Sequence, residues 1–282
     1  MKVYFIGAGP GIADLITVRG AKILGRVAVV LYAGSLVSKD MLVHCRAEAR
    51  IINTAKLSLN DQETHYAYAR DHDLDVARLH SGDPSIYGAI AEQMRRLDRL
   101  GIEYEVVPGV SSFVAAAALL NTELTKPETA QTIILTRTAG RASPMPGGES
   151  LRALAAHTTT MCVFLSGAQL PQVVAELLVH YRPDTPAVLV HKATWPQEKI
   201  WSGSLGKIVD EIVPQDWELS TMLIVGEVLK REAGAESRLY AAEYSHRYRK
   251  ATGEAAGRAR LRPSRRRRAN HGSDGASPYP EP

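Results

Sequence analysis

Three times within the first 112 residues an apolar run ends in a glycine turn and gives way to a helical pattern: VYFIGAGPG at 3–11, DVARLHSGDP at 75–84 and EYEVVPGVSS at 103–112. This order constrains the fold more than any other feature. Parallel strands cannot be joined by tight hairpins, so each strand must feed a crossover, usually a helix. VAVVLYAG (27–34) and IINTA (51–55) add two strand candidates to those at 3–9, 75–82 and 103–109. Together they predict a mainly parallel sheet covered by helices on both faces. Asp14 is a candidate cap for a helix through LITVRGAKIL. The clearest helical pattern is PSIYGAIAEQMRRLDRL, with Asp83 at the N-cap, Pro84 at the first helical position and Gly101 just past its end. Its apolar face is Ile86, Ile90, Met94 and Leu97.

A second series of elements follows LNTELTKPETA. Strands are expected at 131–137, 159–167, 185–194, 199–204 and 220–228, with helices at LRALAAH and PQVVAELLVHY. These make a smaller sheet, so the chain reads as an N-terminal α/β domain at 1–120, a C-terminal α/β domain at 121–230 and a tail at 231–282. The net charge of +4 belongs to that tail, which carries +6, whereas residues 1–230 carry −2. Rich in Arg, Gly, Ser and Pro and poor in large aliphatics, the tail is expected to be disordered. Its RPSRRRR run could hold RNA or another polyanion nonspecifically, and a solvated extension without a specific role is the simpler reading. No stretch approaches the roughly 18 apolar residues of a membrane span, and no signal peptide is visible. Cys45 and Cys162 lie far apart, Cys162 in a buried strand pattern; a reduced, cytoplasmic setting fits them.

GAGPG invites a dinucleotide reading, which fails on three counts. The third glycine, Gly11, comes one residue early for G-x-G-x-x-G, and Pro10 removes an amide from any phosphate nest. The second strand also ends Leu31-Tyr32-Ala33-Gly34-Ser35, without the acidic residue a ribose needs. In HSGDPSIYG, Gly82 permits close backbone approach; Asp83 is either an N-cap alone or a ligand acceptor. Ser111 in VVPGVSS is either a cap or a contact. FLSG, HKATW and STMLI again put small or polar residues at strand ends. There is no G-x-S-x-G elbow and no P-loop. The nine histidines include no i, i+3 or i, i+4 pair, which argues against zinc. His80 and His191 each close an apolar strand and are read as structural.

GAGPG followed by DLIT, then HSGDPSIYG, then VPGVSS, in this order and spacing, resembles the tetrapyrrole (class III) methylase family over about residues 1–230. The resemblance implies two α/β domains of the tetrapyrrole methylase type, S-adenosyl-L-methionine held between them, no metal, and a homodimer. GAGPG then becomes a substrate-side loop. Carried over position by position, the implied cofactor contacts are Pro10, Ser81, Gly82, Asp83, Ile86, Tyr87, Ser111, Ser112, Ser166, Ala193, Thr221 and Met222. LYAGSLVS, HSGDPSIYGAIAEQM, ELTKPETAQTIILTRTAGR and HKATWPQEKIW narrow the resemblance to members that methylate carbon 11 of a corrin precursor in cobalamin biosynthesis. The family commonly has Asp-Pro where this chain has Ile12-Ala13, and the Arg-rich tail has no counterpart in its pattern.

A sulfonium donor is already activated, so the implied reaction asks the protein for position, alignment and exclusion of water, and no catalytic dyad is expected. The polycarboxylate macrocycle calls for cations, for which Arg137, Arg141, Lys192 and Lys56 are the candidates. Three alternatives stay open at this point. The substrate could carry cobalt; the same fold serves RNA ribose methylation, with the tail as an RNA holder; and a noncatalytic binding protein would keep the cofactor site alone.

Overall fold

In the computed structural model, the described residues are 1–139, 144–217, 219–232, 234–235, 237 and 241–252. The chain divides into Met1–Ala235, which holds both sheets, and Glu236–Pro282. In the second unit an isolated antiparallel bridge joins His246 and Arg249; the tail at 253–282 lies outside the described residues.

The first sheet contains β1 (Lys2–Gly7), β2 (Val29–Tyr32), β3 (Arg50–Asn53), β4 (Val76–His80) and β5 (Glu103–Val107), in the order β3-β2-β4-β1-β5. All four pairings are parallel. β1 is apolar on both faces because both faces are covered, and β4 is equally buried but carries Arg78 and His80 on one of them. Tyr4, Ile6, Val30, Tyr32, Ala77 and Leu79 pack with Ile23 and Leu24 of α1 (Val18–Leu24). The alternate residues Val3, Phe5, Val29, Leu31 and Val76 pack against α2 (Leu59–Asp71) and α3 (Ile90–Arg99) through Tyr66, Ala69 and Leu97. Fully burying a side chain such as Phe5 or Leu31 contributes roughly 1.5–3 kcal/mol.

Two expected helix starts are corrected. α1 is capped by Thr17, whose hydroxyl accepts from the Gly20 amide at 3.1 Å; Asp14 lies in a 3-10 turn, Ala13–Leu15, that ends in extended backbone at Ile16. α3 begins at Ile90, seven residues past Asp83. Tyr87 and Ala89 take positive φ of 55° and 50°, which an α-helix cannot contain, so Asp83–Gly88 is a turn and Ile86 leaves the apolar stripe. Gly101 does close α3, at φ 66°. α2, with its Ser58–Asp61 capping box, was not anticipated.

The second sheet has β6 (Ile133–Arg137), β7 (Thr160–Phe164), β8 (Pro186–His191), β9 (Lys199–Ser204) and β10 (Thr221–Val225), ordered β6-β7-β10-β8-β9. β6 and β7 are parallel and the other pairs antiparallel, and with five strands this sheet equals the first. α5 (Leu151–Ala155), α6 (Leu170–Leu177) and α7 (Ile208–Glu211) cover one face, over Met161, Val163, Leu189 and Leu223. The other face, with Cys162, Val188, Val190, Met222 and Ile224, receives α4 (Ser112–Leu119) through Ala115 and Ala116. α4 therefore follows a strand of the first sheet yet packs on the second.

Candidate functional site

The glycines come first, because they bring the strand ends together. A Cβ on Gly109 would lie 2.2 Å from the Gly82 carbonyl oxygen and 2.6 Å from the Gly7 Cα, and one on Gly7 would lie 2.5 Å from the Gly109 Cα. The loops leaving β1, β4 and β5 thus touch backbone to backbone. Gly9 and Gly82 form an antiparallel bridge, with Gly82 N donating to Gly9 O at 2.8 Å. The Gly109 amide donates to Asp83 Oδ2 at 2.8 Å. Asp83 Oδ1 accepts from the amide of Ser85 at 2.8 Å and from its hydroxyl. Burial alone would raise the Asp83 carboxyl, yet the Ser85 and Gly109 bonds hold it below the usual carboxylate range.

The β1 loop is also fastened to the loop that follows β8. Trp195 Nε1 donates to the Pro10 carbonyl at 2.7 Å, and the Ile12 amide donates to Thr194 Oγ1 at 3.1 Å. A Cβ on Gly11 would fall 2.4 Å from the Trp195 ring, so the last glycine of GAGPG is the seat of an indole and serves no anion.

Between these loops lies a cavity of about 230 Å³. The first half contributes Pro10, Leu36, Ser81, Gly82, Asp83, Ile86, Tyr87, Ser111, Ser112 and Ala116. The second contributes Phe164, Leu165, Val190, Lys192, Ala193, Trp195, Ser220, Thr221 and Met222. Topology explains the convergence: β7 and β8 both run antiparallel to β10, so their carboxyl ends and the start of β10 lie on one side. Ser111 stands at the N-cap of α4 without capping it, leaving its hydroxyl to the cavity and the positive end of α4 facing the same space.

Backbone strain concentrates here. Tyr87, Leu165, Lys192 and Ser220 all line the cavity with φ between 47° and 57°. Each such non-glycine residue costs on the order of 1–3 kcal/mol, and strain of this kind collects at ligand sites. Apolar groups make most of the wall; Asp83 supplies one carboxylate and Lys192 one cation, beside the hydroxyls of Ser81, Ser111, Ser112, Ser220 and Thr221. A neutral heterocycle joined to a zwitterionic tail matches that set.

Eleven of the twelve residues named as cofactor contacts line this one cavity. The exception is Ser166, fully buried with its hydroxyl unpartnered, while Leu165 before it reaches the wall. Of the four named cations, Lys192 is in the lining. Arg137 lies in a neighbouring cavity of about 710 Å³ that shares Tyr87 and also holds Glu149, Met145 and Pro146. Lys56 is exposed in the turn after β3, and Arg141 lies outside the described residues. Sequence reasoning missed Leu36, Ala116, Phe164, Leu165, Val190, Trp195 and Ser220. Phe164, Leu165, Trp195 and Ser220 stand within the strand-end stretches FLSG, HKATW and STMLI, whereas Leu36, Ala116 and Val190 carried no local signal.

His80 and His191 are both buried, as expected of structural residues. Burial and nearby Arg78 push the His80 imidazole down to about 3. Among the described residues no cluster of His, Cys, Asp or Glu could hold a metal, and no helix is long and apolar enough to cross a membrane.

Two α/β sheets with glycine-packed strand ends around a strained, mostly apolar cavity are the architecture of a methylase family. The model of the Tetrapyrrole (Corrin/Porphyrin) Methylases matches residues 2–209. The chain belongs to this family. It is 49% identical to a precorrin-4 C(11)-methyltransferase of Pseudomonas aeruginosa, over 88% of this chain and 99% of the relative. It is 44% identical to a cobalt-precorrin-4 C(11)-methyltransferase of Methanocaldococcus jannaschii, over 88% and 96% respectively. A solved cobalt precorrin-4 methyltransferase superposes with a TM-score of 0.77 at 43% identity, covering 81% of this chain and 95% of that one. A uroporphyrin-III C-methyltransferase from Thermus thermophilus, solved with S-adenosylhomocysteine, gives 0.68 at 27% identity, covering 81% and 99%.

Proposed function

We propose that this chain transfers a methyl group from S-adenosyl-L-methionine to carbon 11 of precorrin-4, giving precorrin-5 in cobalamin biosynthesis. The observation that carries the reading is the cavity formed jointly by the loops of both sheets, in a chain nearly half identical to precorrin-4 C(11)-methyltransferases. Identity of 49% to relatives named for the metal-free substrate, against 44% to one named for the cobalt form, favours precorrin-4.

When bound, S-adenosyl-L-methionine supplies a methyl group already activated on a sulfonium centre. The residues that would hold it are Pro10, Ser81, Gly82, Asp83, Ile86, Tyr87, Ser111, Ser112, Ala193, Thr221 and Met222, with Ser166 behind the wall. Asp83 offers a carboxylate to the ammonium group of an amino-acid tail, and the N-terminus of α4 adds amide donors for the tail's own carboxylate. The Trp195–Pro10 and Thr194–Ile12 bonds keep the two loops closed over the cavity and exclude water. Orientation of two reactants in this way contributes roughly 7–11 kcal/mol to such a displacement. The new carbon–carbon bond forms at carbon 11 as the methyl–sulfur bond breaks, S-adenosylhomocysteine leaves, and the methylated macrocycle gives up one proton to solvent, which balances the charge the sulfonium brought. Lys192 and Arg137, joined by Arg141 and Lys56, are the cations we assign to the carboxylates of the macrocycle.

The same reading makes the working unit a cytoplasmic homodimer without a resident metal, as the family resemblance implies. Two free cysteines accord with a reducing compartment. Anaerobic turnover of precorrin-4 with mass-spectrometric detection tests the activity, and light scattering tests the dimer.

A further inference from the structure

Residues 192–198 join β8 to β9 and supply Lys192, Ala193 and Trp195 to the cavity. Two of them, Lys192 and Thr194, take positive φ of 47° and 67°. At Thr194 this is costly, because a branched Cβ crowds the backbone in the left-handed region. Such a conformation persists only where the surroundings fix it. At Lys192 the fixing bond goes to the backbone: its amide donates to the Ser220 carbonyl at 2.9 Å. At Thr194 it goes to a side chain: the amide donates to Glu198 Oε2 at 2.7 Å. A charged acceptor makes this the stronger kind of tie. Glu198 is half-buried, and its own amide donates to the Trp195 carbonyl at 3.0 Å, so a closed turn delivers the carboxylate. The Trp195 amide closes the preceding turn by donating to the Lys192 carbonyl at 2.9 Å.

We propose that Glu198 is a positioning residue of the cofactor site: its carboxylate holds Thr194 in the left-handed conformation that aims the Thr194 hydroxyl and the Trp195 indole together at residues 10–12. The inference rests on the cofactor reading above and deepens it, by naming the group that keeps the cavity closed. Both side chains arrive at one spot. Thr194 Oγ1 accepts from the Ile12 amide at 3.1 Å, and Trp195 Nε1 donates to the Pro10 carbonyl at 2.7 Å. A Cβ on Gly11, between those two residues, would lie 2.4 Å from the indole and 2.8 Å from Thr194 Oγ1. Relaxation of Thr194 to negative φ would reorient the chain on either side of it, and the two contacts cannot both survive that change. Glu198 is outside the cavity lining, so it acts on the cofactor only through Thr194 and Trp195.

The test has two parts, both on the full chain. Labelling the indole nitrogens with 15N gives one signal for each of the 3 tryptophans, and the signal missing in Trp195→Phe assigns Trp195. In the ligand-free protein, the Trp195 indole proton should exchange with water about tenfold faster in Glu198→Leu than in wild type. Glu198→Gln, which keeps an oxygen acceptor at the same reach, should return the rate to within about twofold of wild type. Stopped-flow release of S-adenosylhomocysteine then reads the connection to the site. Glu198→Leu should release it about tenfold faster, and adding Trp195→Phe should change the rate no further, because the contact it removes is already lost. Unchanged indole exchange or unchanged release in Glu198→Leu overturns the proposal, whatever its melting temperature; so do effects of the two substitutions that multiply. If Glu198→Leu does not fold, Glu198→Asp, whose shorter side chain withdraws the carboxylate, reads the same pair: coupling to Trp195→Phe supports the assignment and independence refutes it. A wild type that binds no S-adenosylhomocysteine refutes the cofactor reading and leaves the indole exchange to decide whether Glu198 holds the contact.

Discussion

Gly109→Ala should be among the most damaging single-methyl additions in the molecule. The added Cβ would sit 2.2 Å from the Gly82 carbonyl oxygen and 2.6 Å from the Gly7 Cα. Comfortable contact needs about 3.5 Å, so the neighbours would have to retreat by about 1 Å. They are backbone atoms and cannot rotate away. The Gly82 loop is tied to Gly9 by the amide bonds of their bridge, and Gly109 N is held by Asp83. Overpacking of this kind costs about 1–3 kcal/mol, and loss of the Gly109–Asp83 bond adds about 1.5–3 kcal/mol because its acceptor is charged. A total near 4 kcal/mol corresponds to a fall in Tm of roughly 8–16 °C for a unit of this size. Gly148→Ala is the control, because nothing lies within 4 Å of its Cβ position. Calorimetric melting of both variants, with titration of S-adenosylhomocysteine, reads the outcome. Gly109→Ala should melt far below Gly148→Ala and lose the ligand. A Tm within 2 °C of wild type would show that the glycine contacts do not hold the site together.

Trp195→Phe keeps a ring over Gly11 but removes the donor to the Pro10 carbonyl, so S-adenosylhomocysteine should dissociate about fivefold faster in stopped-flow measurements; an unchanged rate would rule the contact out as a closure. Lys192→Met should raise KM for the tetrapyrrole about tenfold with kcat nearly unchanged, and a fall in kcat alone would move Lys192 away from substrate binding. Asp83 has a depressed carboxyl pKa in the fold, so its stabilisation is present above about pH 4 and is lost as pH falls through the lower folded value. Asp83→Asn should therefore flatten the acid limb of a urea-denaturation profile, and an unaltered limb would remove Asp83 from acid unfolding.

All ten strands were legible in the sequence: those buried on both faces read as apolar runs punctuated by Gly, Pro and Ser, while the exposed edge strands β3 and β9 showed only as the short stretches IIN and KIW between polar residues. The cavity was legible mainly through HSGDPSIYG and VPGVSS, where the chain turns at strand ends. What escaped was decided by tertiary packing. The start of α3 was misplaced since Asp83, Pro84 and the apolar spacing all agree with a helix, and only the left-handed Tyr87 and Ala89 break it. α2 was missed because its sequence is largely polar, with only Gln62, Tyr66 and Ala69 buried. The alanines of α4 gave no sign of which sheet they would meet. Trp195 and Leu165 join the site through loops whose path no local pattern specifies, and strain at Leu165 has no signature in composition. Gly11 shows the limit clearly: its spacing excluded a dinucleotide nest, yet the indole that needs it lies 184 residues away in the chain.

The central claim is the position of the transferred methyl group. Purified protein incubated anaerobically with precorrin-4 and S-adenosyl-L-methionine bearing a 13C-methyl should gain one methyl by mass spectrometry, and NMR should place it on carbon 11. A methyl on another carbon, or no transfer while a control methylase turns over the same preparation, would contradict the account.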